Sequence, residues 1–540
     1  MKKTISLALI VVMLMTVFVA CSKEKPIGSS DDDFRYTAAS DVTTNNVNSD
    51  ESSGNKTTSN SSKTNNSSKN NSSKNNSSSN KNESSNIWNE SEEEELPLGS
   101  NQPNRPQITP TVDVPADATM SSVTADKIPA ITYGNITTVK KEKTYITKAS
   151  NVSLSNYNSY IDTLLNSGFV KYSENAIDGN SFATLVNKKT TVTAYYIKNE
   201  ATIRVIAEPI GDLYPREKDN VYIDYKKQNL LTAIKGDKSL EESSMSYVIR
   251  LDDGSFIIID GGTGTGLDPS NLWKTLKAQT LNGEKPVISA WIFTHCHEDH
   301  IGNFSVFSEQ YHDSVIVERI YYNFQTEEDI LKGNGAVMVT DPSEKYVPYR
   351  YNNFKKVIKT YYSDVPKVTP HTGDKYYIKN AVIDILYTHE DQVPDVIKTM
   401  NNSSTVFRID INGQSMLITG DIESGTILDK IVARYPNYVK CDFVQAPHHG
   451  ITNHLPFYQA VNPTYFLLPI NHTGYNTVLD NENGKNPANY WLAHESTKMR
   501  HVITPGGRTV SIPLPFNPSD SEAIRAPKWN TRFKDYSDLF

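Results

Sequence analysis

The chain has 540 residues, a formal charge of −8 at pH 7 and three cysteines. That length accommodates more than one domain, the charge argues against a general nucleic-acid binder, which normally shows a basic stripe, and so few cysteines exclude a disulfide framework. A chain this long can fold on its apolar core alone.

Lys2-Lys3 precede an apolar stretch from Ile5 to Ala20 that ends at Cys21. The stretch is short for a membrane-spanning helix and has the charged start of a secretory signal. Residues 1–21 resemble a bacterial lipoprotein signal peptide, with Phe18 where that family prefers Leu. The resemblance implies a lipidated Cys21 and a protein held on the extracytoplasmic face of the bacterial cell membrane. An uncleaved anchor would give the same placement. Residues 22–130 then hold few apolar side chains, and Ser61 to Asn80 repeats a Ser-Ser-Lys-Asn-Asn unit with small variations. Such a segment cannot bury enough surface to offset its ordering entropy, so it reads as a disordered tether. The run Glu92 to Glu95 and the proline-rich stretch from Pro97 to Pro115 extend and stiffen its distal part.

Residues 135–215 read as a small α+β domain. Tyr157, Tyr160, Ile161, Leu164 and Leu165 fall at helical spacing after Ser155, a candidate cap, and Gly168 stops the helix. Phe169 to Tyr172, Ser181 to Val186, Thr191 to Ile197 and Ala201 to Ala207 read as strands. The domain has no metal-ligand spacing, glycine-rich phosphate loop or basic patch, which favours a packing or substrate-positioning role.

Residues 225–520 form the larger unit, followed by a tail over 521–540. Ser246 to Leu251 and Ser255 to Ile259 are strand-like runs around the turn signal Asp252-Asp253-Gly254 and lead into Asp260-Gly261-Gly262. The apolar strand Val287 to Phe293 runs into Thr294-His295-Cys296-His297-Glu298-Asp299-His300 and then a helix. Three imidazoles and a ligating carboxylate in so short a loop, at the carboxyl end of a buried strand, predict a metal site. Cys296 between two of them points away and reads as a small buried hydrophobe. Further on, Ser415 to Thr419 runs into Gly420-Asp421, and Asp442 to Pro447 into His448-His449-Gly450.

These motifs, in this order, resemble the metallo-β-lactamase superfamily, whose His-x-His-x-Asp-His signature reads here as His295, His297, Asp299 and His300. The resemblance implies an α/β fold, the four-layer αββα sandwich, and a two-metal hydrolase. It implies His295 and His297 on one ion, Asp299 and His300 on the other, Asp421 bridging, and His448 as the last ligand with His449 its neighbour. Asp260 would orient the ligands from behind. Two Zn²⁺ ions are expected, and Mn²⁺ or Fe suits the same ligands. Most members place one more His before the strand Thr405 to Ile409, where this chain has Asn401-Asn402-Ser403-Ser404. Either His389 reaches back as an extra ligand or Asn402 takes the place.

The Asn-Asn-Ser-Ser segment, Gly-Asp and His-His-Gly together look most like the competence-protein branch, the soluble hydrolase domain of DNA-uptake channels, and are similar to the phosphorylcholine esterases of cell-wall teichoic acid. Both act on phosphodiesters. The resemblance implies metal-assisted hydrolysis with Asp299 orienting the attacking water, and His472 is a candidate proton donor or phosphate contact. The expected partner is a phosphodiester-containing small molecule or cell-wall polymer, with nucleic acid less favoured. Hydrolysis of a lactone, thioester or β-lactam is the alternative chemistry, and a surface binding protein with a degenerate metal site is the non-catalytic one.

Overall fold

The computed structural model describes residues 128–215, 227–236, 244–280, 283–326, 329–330, 347–395, 397, 399–470, 486–505 and 508–518. Cys21, the tether up to residue 127, the C-terminal tail and His472 lie outside them. Among the described residues no helix is long and apolar enough to cross a membrane.

The amino-terminal unit contains β1 (Asn135–Lys141), β2 (Thr144–Ser150), α1 (Leu154–Asn166), β3 (Val170–Ile177), β4 (Asn180–Val186), β5 (Thr190–Ile197) and β6 (Thr202–Pro209). The strands form an antiparallel sheet in the order β1-β2-β6-β5-β4-β3. Tyr157, Tyr160, Ile161 and Leu164 form the buried face of α1 and pack on Leu185, Ala194 and Val205 of the sheet. The cap is Ser153, in a reciprocal capping box with Asn156, two residues before the expected Ser155. Strands β1 and β2 were not anticipated because β1 is largely exposed and rich in Thr and Lys, so it lacks the apolar alternation that marks a half-buried strand.

The larger unit is built on two sheets. The first runs β13 (Lys367–Val368), β12 (Ile320–Tyr322), β10 (Val287–Phe293), β9 (Phe256–Asp260), β8 (Ser246–Arg250), β7 (Asn229–Ala233) and β21 (Val510–Leu514), with β11 (Ile316–Val317) also on β10. The second runs β14 (Lys375–Ile378), β15 (Ala381–Tyr387), β16 (Val406–Ile411), β17 (Gln414–Ile418), β18 (Phe443–Gln445), β19 (Tyr465–Leu467) and β20 (His501–Ile503). The strand alternation sends Ile257, Ile259 and Ile292 of the first sheet against Ile383, Phe407, Ile409 and Ile418 of the second, and this apolar layer joins the sheets.

Each sheet buries its other face too, which is why its strands read as continuous apolar runs. The helices α2 (Asp268–Gln279), α3 (Glu298–Tyr311) and α4 (Val347–Tyr361) cover the first sheet, where Trp291 and Phe293 meet Phe304, Phe307 and Phe354. The helices α5 (Gly425–Arg434) and α6 (Leu455–Val461) cover the second, bringing Leu428, Ile431 and Phe457 onto Leu417, Val444 and Phe466. The layering is the expected αββα sandwich.

The face of the small sheet opposite α1 docks beside α5. Phe182, Tyr195, Ile197 and Ile206 share one apolar cluster with Leu386, Tyr387, Leu428 and Ile431. Buried polar contacts fix the junction: Arg204 donates to the backbone carbonyls of Val393 at 2.6 Å and Asp391 at 3.0 Å, and Arg434 bridges Glu200 at 2.6 Å and Asp391 at 2.7 Å.

Candidate metal centre

The sandwich collects the motif loops at one edge. Strands β9 and β10 are parallel neighbours, as are β17 and β18, so their carboxyl ends emerge together. The loop after β10 and the first turn of α3 carry Thr294 to His300, the end of β9 carries Asp260, the loop after β17 carries Asp421, and the turn after β18 carries His449. A hydrogen bond from Thr405 N to Thr294 O at 2.9 Å ties the two sheets together at this point. Gly420 has a positive φ of 52°, and a Cβ there would fall 2.7 Å from Ser404 Oγ and 3.0 Å from Thr294 Cβ, so the Gly-Asp turn closes only without a side chain.

His300 and His449 converge on two carboxylates. His300 Nε2 is 3.1 Å from Asp421 Oδ2 and 3.9 Å from Asp299 Oδ2. His449 Nε2 is 3.0 Å from Asp299 Oδ2 and 3.2 Å from Asp421 Oδ2. One ligand atom from each of these four residues falls within 4.8 Å of the others. The row continues through His295, whose ring centroid lies 4.1 Å from that of His300 and 4.8 Å from that of His297.

Asp260 braces the loop. Its carboxylate accepts from Thr294 N and Thr294 Oγ1, each at 2.8 Å, and from His300 Nδ1 at 2.7 Å. This directs His300 Nε2 towards the cluster and explains why Asp260, which has a left-handed φ of 54°, tolerates that backbone conformation.

Burial alone would lower the His300 and His449 imidazoles, but the facing carboxylates overcome it. They raise His300 well above the ordinary histidine range and push His449 up to about 10. Burial likewise opposes the charged forms of Asp299 and Asp421, and the two imidazoles outweigh it to hold both carboxyls low. His295 is driven down by burial and then by the neighbouring His300 and His297. The cluster therefore binds positive charge strongly, and a metal entering it displaces protons. The donor set fits such an ion: His295 Nε2 and Asp421 Oδ1 are buried without a hydrogen-bond partner, a state that buried polar atoms rarely keep.

Several placements depart from the sequence reading. His449, and not His448, enters the cluster, because its Nδ1 donates to Pro469 O at 2.6 Å and turns Nε2 inward. His448 has a side chain that is 24% exposed and holds Nε2 3.3 Å from the Asn401 amide nitrogen. His389 does not join the cluster; its Nε2 is 3.0 Å from Asn323 Oδ1, near the junction with the small domain. The Asn402 side chain faces the Asp421 loop, accepting from Glu423 N at 3.2 Å and Ser424 N at 3.0 Å. Cys296, by contrast, is the small buried side chain that the sequence suggests, with Sγ 3.8 Å from Met400 Sδ.

Sequence reasoning missed Ser404. Its hydroxyl lies 3.2 Å from His295 Nδ1 and accepts from Asp421 N at 3.0 Å, linking an expected ligand of one ion to the expected bridge. The available signal was its position two residues before β16, in the segment where the resemblance places an imidazole.

Residues 240–455 match the family model described as Metallo-beta-lactamase superfamily. A segment of 64 residues is 41% identical to the uncharacterized protein YcaI of Escherichia coli (strain K12), which is 12% of this chain and 8% of that protein. Among solved structures, the metallo-beta-lactamase fold protein YhfI from Bacillus subtilis aligns at 12% identity and TM-score 0.33, over 53% of this chain and all of that one. CmlA, a diiron beta-hydroxylase from Streptomyces venezuelae, aligns at 12% identity and TM-score 0.32, over 53% of this chain and 54% of its own. The chain carries a metallo-beta-lactamase superfamily domain over residues 240–455.

Proposed function

We propose that the protein is a metal-dependent phosphodiesterase held by an N-terminal lipid on the outer face of a bacterial membrane. The observation that carries hydrolysis is the convergence of His300 and His449 on Asp299 and Asp421, with His449 Nε2 within 3.2 Å of both carboxylates. His300, Asp421, His449 and Asp299 would hold one ion, and His295 and His297 a second that shares Asp421. Zinc suits these ligands, as do manganese and iron. Ions held there supply Lewis acidity towards an ester oxygen and lower the pKa of water.

The protein groups then divide the work by exposure. The Asp299 side chain is 28% exposed, against 2% or less for His300, Asp421 and His449. It is therefore the cluster carboxylate that faces the substrate side, placed to accept a proton from an attacking water and to orient it. His300 and His449, each fixed through Nδ1, keep the two carboxylates in place.

The phosphodiester reading rests on the segment Asn401 to Ser404. A serine hydroxyl and two amides stand where β-lactam-opening relatives carry an imidazole, which favours phosphodiesters over β-lactams, lactones or thioesters. Release of nitrophenol from bis-nitrophenyl phosphate by metal-loaded protein, lost in Asp421→Ala and in His297→Ala, is the expected result. Bound metal without turnover of any phosphodiester, but with opening of a lactone or nitrocefin, would replace this reading. Palmitate labelling that disappears in Cys21→Ala tests the lipid anchor.

A further inference from the structure

A groove of about 300 Å³ is lined by Glu423, Gly425, His448, Thr452, Asn453 and His454 together with Ile451, and the His448 ring centroid lies 6.3 Å from that of His449. It lies on the loops that carry Asp421 and His449, so a substrate reacting at the cluster must extend along it or away from it. Its chemistry is specific. Thr452 is 7% exposed, and its hydroxyl is buried without a hydrogen-bond partner, whereas buried hydroxyls ordinarily have one.

The other walls offer both donors and acceptors. His448 presents an imidazole that has turned out of the cluster. Glu423 is held by the amides of Asn401 and Asn402, each at 3.3 Å, and its oxygens retain capacity to accept. His454 donates through Nε2 to Asp429 Oδ1 at 2.6 Å, which fixes its ring. Gly425 keeps the floor open, because a Cβ there would fall 2.8 Å from His454 Nδ1. The side chain of Ile451, 56% exposed, adds an apolar shelf.

No lysine or arginine is among the described residues that line the groove. A second phosphate of a polyanion would meet Glu423 there with no lysine or arginine to compensate. Hydroxyl groups on a short carbon chain match the mixture, since each can donate to a carboxylate and accept from a hydroxyl or imidazole. We propose that this groove binds a hydroxyl-bearing alcohol, a polyol or sugar esterified to the phosphate, with Thr452, His448 and Glu423 as its specificity-determining contacts. This rests on the phosphodiester reading above and adds the identity of the group beside the phosphate.

The test compares two esters with the same chromophore, 4-nitrophenyl glycerol phosphate and 4-nitrophenyl propyl phosphate, which differ only in two hydroxyls. The full-length, metal-loaded protein is expected to prefer the glycerol ester by roughly ten-fold in kcat/KM. The ratio should fall towards one in Thr452→Val, which preserves side-chain shape, and decrease in His448→Gln. Equal kcat/KM for the two esters in the unaltered protein, or a preference that survives Thr452→Val, overturns the proposal. If neither ester nor bis-nitrophenyl phosphate is hydrolysed, the phosphodiesterase reading fails separately. Saturation-transfer NMR with glycerol 3-phosphate and propyl phosphate then decides the groove: stronger transfer to glycerol 3-phosphate that Thr452→Val removes supports it, and equal or absent transfer refutes it.

Discussion

His449 donates through Nδ1 to the Pro469 carbonyl at 2.6 Å and thereby aims Nε2 between Asp299, at 3.0 Å, and Asp421, at 3.2 Å. Its chain neighbour His448 lacks that anchor and turns towards Asn401. Two adjacent histidines are thus given different tasks by one backbone carbonyl. His449→Ala should lose bound metal on gel filtration, while His448→Ala should retain the metal stoichiometry of the unaltered protein. Elemental analysis of both variants checks this, and the reverse pattern would return His448 to the cluster.

Asp260 touches the metal cluster only through Thr294 and His300, with contacts of 2.7–2.8 Å. Removing such a brace leaves the ligands present but free to turn. Asp260→Ala is expected to weaken metal binding by roughly 10–100-fold while the far-ultraviolet circular dichroism stays that of a folded protein. Competition against a chromophoric chelator measures the affinity.

The motif loops were legible because metal chemistry restricts residue types and because strands buried on both faces announce themselves as apolar runs. Asp260, Asp299, His300 and Asp421 could each be located from sequence for that reason. The choice between His448 and His449 could not, since it depends on the Pro469 carbonyl, twenty residues away in the chain and brought close by β19. Ser404 was hidden because a serine beside asparagines signals a turn, and only the folded loop places its hydroxyl against His295. The sequence marks the small domain as a unit with a packing or positioning role but not the surface it meets: Tyr195 and Ile197 complete the apolar layer over β15 and α5, a pairing that no local pattern encodes.

That junction also contains a titrating pair. His371, with a side chain 3% exposed, lies 3.1 Å from Glu208 of β6 and 3.1 Å from Glu390. Burial opposes its charge, but the two glutamates raise it well above the ordinary histidine range. Glu390 is likewise opposed by burial and brought down to about 2, chiefly by His371. A raised histidine contributes stability that is complete below its unfolded pKa of about 6.5 and is lost as pH rises through the folded value. A lowered glutamate contributes above its unfolded value and loses its part as pH falls through about 2. The pair therefore contributes fully in weak acid and fades on the alkaline side. In urea unfolding, the stability difference between the unaltered protein and His371→Gln should shrink from pH 6 to pH 10. A difference that stays constant would show that His371 does not carry the charge.

Arg434 tests the same junction without a titration. Its side chain is 1% exposed and meets Asp391, which is fully buried, and Glu200 of the small domain, which is 20% exposed. Asp391 also accepts from Tyr195 of β5 at 3.0 Å and Thr372 at 2.6 Å, so one carboxylate holds both units. Replacing the guanidinium by a methyl leaves Asp391 charged, buried and short of its main counter-ion. Arg434→Ala should destabilise the protein by about 3–5 kcal/mol, the cost of breaking a buried pair from one side. Asp391→Asn combined with Arg434→Met should recover part of that loss, because it removes the stranded charge while refilling much of the volume. Chemical denaturation of the single and double variants measures the recovery, and a double variant no more stable than Arg434→Ala would mean that Arg434 acts through packing and not through Asp391.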